Sequence, residues 1–155
     1  TAKPDLIEAG FTHQPIGVEA KFFDIRTGKG FTKKASAGMF QALSYWYSNS
    51  EWYVPSLGSK QQLACVMMLS NLSFREDRKF MEKEPSRSRL RMWSDFLNLA
   101  NNGNIGEILY YTNPGVGGYW SFSFSGSNYF QMKPAGELVL GNPKVINKER
   151  IGNFL

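Results

Sequence analysis

The stretch PDLIEAGFTHQPIGVEAKF, residues 4–22, decides the fold. Its apolar and β-branched residues form two short runs, 5–9 and 15–24, separated by a segment with Gly10, Thr12, His13 and Gln14 that ends at Pro15. Such a pattern predicts a β-hairpin. With Ala9 opposite Pro15, antiparallel pairing keeps the sum of paired residue numbers constant and sets Asp5 opposite Glu19. Directly opposed residues share a face with Cβ atoms about 4.5–5.5 Å apart, so the two carboxylates are expected to share one hard cation. Without a cation they repel, and one takes up a proton. Lys21 projects from the same face as Glu19, because strand side chains alternate. Its ammonium suits an attacking water and the charge that develops on a phosphate. Val18, Ala20 and Phe22 are expected on the opposite, core-facing side.

Residues 26–34, RTGKGFTKK, read as an exposed basic loop in which Lys29, Lys33 and Lys34 are candidate phosphate contacts. Ser36 is then placed to cap a helix through about Asn49, with Met39, Phe40, Leu43, Trp46 and Tyr47 at helical spacing. EWYVPSLGSKQQ, carrying Pro55 and Gly58, reads as an irregular connection, and LACVMMLS as a buried strand. The charged segment from Ser73 to Asn102 predicts two helical pieces broken at Pro85, the second capped by Ser86 and stopped at Gly103, with Leu90, Trp93, Phe96 and Leu97 facing the core. EILYYT, YWSFSFS and NYFQMK, separated by NPGVGG and SGSN, predict an antiparallel meander.

The composition fits one domain spanning residues 1–155: 17.6 kDa, 42% hydrophobic and 20% charged residues exclude a disordered chain. The expected division is a catalytic core over 1–72 and a helical and β extension of the same domain over 73–155. The net charge of +5 suits a polyanionic partner without requiring one. The lone Cys65 sits in an apolar run and is expected to be a buried thiol, in keeping with a reducing compartment. No apolar stretch approaches the roughly 18 residues of a membrane helix, and the N-terminus shows no signal pattern. A soluble, cytoplasmic protein without a membrane partner is expected, or a nuclear one in a eukaryotic or virus-infected cell. The chain begins at Thr1 and runs directly into a strand-like segment, which suggests excision from a longer polypeptide.

Pro4-Asp5, thirteen intervening residues, Glu19-Ala20-Lys21 and a helix with Gln41-Ala42-Leu43-Ser44-Tyr45 together resemble the PD-(D/E)XK nuclease superfamily, and the helical Gln-x-x-x-Tyr is similar to that of its RecB-like branch. The resemblance covers residues 3–49, with LACVMMLS as the next core strand. It implies an α/β, or mixed α+β, fold: a restriction-endonuclease-like core with a mixed central sheet flanked by helices, here followed by the C-terminal meander. It further implies Mg²⁺ or Mn²⁺ held by Asp5, Glu19 and the Ala20 carbonyl, a catalytic Lys21, and Gln41 with Tyr45 orienting the site or substrate. The superfamily's first core helix, which often adds another acid, has no counterpart in the chain.

The expected function is metal-dependent hydrolysis of phosphodiester bonds, in DNA before RNA because most relatives with this motif order cut DNA. A cap-snatching type of RNA endonuclease shares the Pro-Asp and Glu-x-Lys pattern, but its metal-binding histidine has no match. His13, in the turn, is expected to be a solvated residue outside the site. Two other classes compete: a nucleic-acid-binding or assembly module that keeps the fold without cleaving, and an interaction protein built on the aromatic meander. Arg87, Arg89 and Arg91 fan around a helix as a solvated face. Tyr119, Trp120, Phe122 and Phe124 are expected in the core or an oligomer contact before a base-stacking role.

Overall fold

The structure, a computed structural model, describes residues 4–23, 31–72, 88–113, 115 and 117–146. Pro4–Glu8 is not a strand but a short helix, α1. Pro4 occupies the first helical position, where its missing N–H costs nothing. Gly10, at φ 87°, ends the helix: its N–H bonds to the Ile7 carbonyl, and the Phe11 N–H bonds to the Leu6 carbonyl. This left-handed cap is completed by apolar contact around Leu6 and Phe11, which join the same cluster. The expected hairpin is therefore absent, and Asp5 does not stand in strand register with Glu19.

Strand β1, Ile16–Lys21, instead pairs in parallel with β4, Cys65–Ser70, which sets Glu19 beside Met68 and Lys21 beside Ser70. Helix α2, Phe31–Tyr47, lies between them in sequence, as a parallel pair requires. α2 starts earlier than expected, so Lys33 and Lys34 belong to its first turns. The Ser36 hydroxyl donates back to the Thr32 and Lys33 carbonyls and does not cap the helix. The segment after α2 is also more regular than expected: β2, Trp52–Val54, and β3, Ser59–Gln61, form a separate two-stranded antiparallel sheet closed by the Pro55–Gly58 turn, with Gly58 at φ 62°.

Helix α3, Ser88–Asn101, leads to β5, Ile105–Asn113, which runs parallel to β4. The meander then follows as expected through β6, Gly117–Phe124, and β7, Ser127–Met132, and a further strand that was not expected, β8, Leu138–Leu140, extends it, each antiparallel to its predecessor. One mixed six-stranded sheet results, in the order β1-β4-β5-β6-β7-β8. The expected mixed central sheet with flanking helices is observed.

Strand β4 is the centre of the fold. Cys65, Val66, Met67 and Met68 are fully buried, as a strand covered on both faces must be. On one face Val66 and Met68 meet Ala35, Met39 and Ala42 of α2, and Trp93, Leu97 and Ala100 of α3. On the other, Cys65 and Met67 meet Phe11, Phe124, Tyr129 and Val145. Cys65 is the buried thiol expected, its pKa pushed up by desolvation. No helix among the described residues is long and apolar enough to cross a membrane. Ser86, Pro85 and Arg87 lie outside the described residues.

Candidate active site at the end of strand β1

The alternation of β1 is real, but its faces are exchanged relative to expectation. Val18 is 53% and Phe22 70% exposed, whereas the side chains of Glu19 and Lys21 retain only 13% and 19% of their accessible surface. The cause is α2, which stands over the face that carries Glu19 and Lys21. Turning apolar groups outward forgoes part of the roughly 1.5–3 kcal/mol that burying a large apolar side chain contributes. Enclosing two charges adds a desolvation cost unless both are paired. Such breaches of local pattern concentrate at functional sites.

Both charges are paired. The Lys21 ammonium lies 2.6 Å from Glu19 Oε1 and donates to Gln41 Oε1 at 2.7 Å. The strand contributes the ion pair, and one stripe of α2 contributes the rest: Lys34, Gly38, Gln41 and Tyr45 recur at helical spacing. Gly38 is needed because the Lys21 stem crosses it. A Cβ at that position would stand 2.9 Å from Lys21 Cε and 3.0 Å from Cγ. Lys34 Nζ donates to the Phe22 carbonyl at 2.8 Å. Asn71 clamps the following residue at both ends, accepting from the Phe23 N–H at 2.7 Å and donating to its carbonyl at 2.8 Å. The end of β1 is thus fixed to both α2 and β4.

Of the residues singled out in the sequence, Glu19, Ala20, Lys21 and Gln41 come together here, whereas Tyr45 lies farther along α2, toward the amino ends of β1 and β4, where the neighbouring Trp46 indole N–H bonds the Ala64 carbonyl. Tyr45 lies one turn beyond Gln41 and meets the Trp52 ring edge-on, with centroids 5.6 Å apart. Asp5 stands on α1, its side chain outside the described part. Lys29 is likewise outside the described residues. His13 is exposed in the link between α1 and β1, three residues ahead of the strand. Neither Gly38 nor Asn71 was singled out: glycine inside a helical pattern marks close approach, but nothing local marks Asn71 as a clamp. Glu107, 6% exposed, was also missed. It pairs with Met68, as Glu19 does, and so lies two strands from Glu19, about 9.5 Å between backbones, with the buried Met68 between them.

Among the described residues no three His, Cys, Asp or Glu side chains are grouped to hold a metal. The oxygen donors at the end of β1 nevertheless suit Mg²⁺ or Mn²⁺ chemistry. Mg²⁺ keeps several waters and is commonly held by one or two carboxylates together with substrate phosphates, a role Glu19 and the Ala20 carbonyl fit. Comparison with protein-family models, curated proteins and solved structures gives no match.

Proposed function

We propose that this chain is a metal-dependent nuclease with a restriction-endonuclease-like core, hydrolysing phosphodiester bonds in DNA in preference to RNA. The observation that supports this most is the convergence of Glu19, Lys21 and Gln41, drawn from a strand and the helix after it, into one hydrogen-bonded cluster. The cluster lies at the carboxyl end of a parallel strand, where open α/β sheets bind their ligands.

Glu19 and the Ala20 carbonyl would hold the cation, which when bound lowers the pKa of a coordinated water and offsets phosphate charge. Lys21, held by Gln41, places its ammonium where charge develops on the phosphate. Lys33 and Lys34 add positive charge at the first turns of α2, the end at which a helix dipole favours anions. Asp5 stands outside the hairpin geometry first expected, so the proposal rests on Glu19, Lys21 and Gln41.

One observation favours the non-cleaving alternative: Lys21 already neutralises Glu19 without a metal. Incubating labelled DNA with Mn²⁺ separates the two. The wild-type protein is expected to cut and Glu19→Ala to bind without cutting. Equal cleavage by Glu19→Ala would refute the assignment of the site.

A further inference from the structure

The parallel ladder between β1 and β4 ends at Lys21 and Ser70, so the residue assigned to the phosphate is the last one that the ladder holds. The register would next set Leu72 beside Phe23, but β4 has already turned away. The Ser70 hydroxyl accepts from the Leu72 N–H at 3.2 Å and donates to the Leu72 carbonyl at 2.6 Å. Phe23 therefore reaches the end of β4 by another route. Its N–H donates to Asn71 Oδ1 at 2.7 Å, and its carbonyl accepts from Asn71 Nδ2 at 2.8 Å.

A carboxamide carries an acceptor and a donor side by side, the same pair that a peptide group offers. The Asn71 side chain thus adds one rung beyond the point where the backbone of β4 stops pairing. That rung matters because Phe23 is 1% exposed and its ring lies edge-on against Trp93, with centroids 4.8 Å apart. Backbone polar groups at so buried a residue are costly to leave without partners. Asn71 itself is exposed and joins neither buried cluster. Each residue from Lys21 to Phe23 is then tethered from a different place: the Lys21 ammonium by Glu19 and Gln41, the Phe22 carbonyl by Lys34, and the Phe23 backbone by Asn71.

We infer that Asn71 is a positioning residue for the candidate active site: by holding Phe23 it sets the course of the chain past Lys21, and so where the Lys21 ammonium and the Ala20 carbonyl stand. It acts through the backbone of residues 21–23. Without the rung, the Phe23 backbone turns toward water and Lys21, two residues before it, moves as well. This rests on the nuclease reading and adds to it a residue that holds the geometry from outside the site.

The test pairs single-turnover cleavage of labelled DNA in Mn²⁺ with an observation of Lys21 that needs neither metal nor DNA. Asn71→Ala removes both bonds. Asn71→Asp keeps an acceptor for the Phe23 N–H but sets a carboxylate oxygen against the Phe23 carbonyl. Each variant is expected to cut about tenfold to a hundredfold more slowly at saturation, with DNA affinity within about twofold of wild type, as a displacement of about 1 Å at the reacting groups predicts. In the nitrogen-15 spectrum of the metal-free protein, the Lys21 ammonium signal, identified by its loss in Lys21→Met, should shift in both variants, and the Phe23 amide should exchange faster. A role in stability alone lowers the melting temperature while leaving the ammonium signal and the saturated rate unchanged, and that result overturns the proposal. A loss of DNA affinity that accounts for the loss of rate overturns it too. The two readings fail separately. A displaced ammonium in Asn71→Ala without Mn²⁺-dependent cleavage by the wild-type chain removes the nuclease and keeps the positioning, whereas cleavage by Asn71→Ala at the wild-type rate does the reverse.

Discussion

Lys21 has two partners and a stem laid across a helix, an unusually defined position for a flexible side chain. Holding it costs rotamer entropy, and the contacts with Glu19 and Gln41 offset that cost. Lys21→Met would leave the Glu19 carboxylate largely enclosed without its counter-charge. The metal-free variant is expected to lose about 1–3 kcal/mol of stability, measurable by urea denaturation. Mn²⁺ bound at Glu19 should restore part of the loss, since a ligand at a hundred times its Kd adds about 2.7 kcal/mol. A stability indifferent both to the substitution and to Mn²⁺ would show that neither the pair nor the cation acts at Glu19. The residue types of this cluster were legible in the sequence, because Glu-x-Lys on a strand fixes a shared face. Which face the fold covers was not, because alternation defines two faces and only the position of α2 selects between them.

At the scale of elements, the contact between β1 and α2 depends on the missing side chain of Gly38. In an open helix, alanine is favoured over glycine by up to about 1 kcal/mol. Here its Cβ would press on Lys21 Cε and Cγ, which are tethered beyond by Glu19 and Gln41. Gly38→Ala is therefore expected to change the melting temperature little, the helix gain offset by the weakened ion pair, while displacing the ammonium. Misplacement by about 1 Å can cost up to a hundredfold in rate. Wild-type cleavage by Gly38→Ala would mean that the position of Lys21 is immaterial. Among the elements, β4 and the meander were readable from an unbroken apolar run and from regular turn signals. α1 was not, since Leu6-Ile7-Glu8-Ala9 suits helix or strand over so short a span. The deciding signals are its ends, Pro4 as a helix start and Gly10-Phe11 as a cap with an apolar follower. Likewise Pro55 and Gly58 read as breakers of a connection, although they form the turn of the β2–β3 hairpin.

On the scale of the whole molecule, the three parallel strands β1, β4 and β5 form the part that positions chemistry, and β6–β8 extend the same sheet away from it. Strand β4 anchors this arrangement, buried on both faces and paired on both edges. β1 lies at the sheet's edge, where its carboxyl end meets the first turns of α2 through Lys34, and its amino end lies by the last turn of α2. The assembly places an ion pair and an amide along one border of the fold, where α2 covers β1. Single-turnover cleavage, with protein in saturating excess over a labelled DNA strand, alone or in a duplex, in Mn²⁺, tests this account most directly, because it isolates the chemical step from binding. The wild-type chain should cut the strand, and Lys21→Met should bind it with undiminished affinity while cutting about 10²–10³ times more slowly. Cleavage by Lys21→Met at the wild-type rate, or no Mn²⁺-dependent cleavage by the wild-type chain, would contradict it.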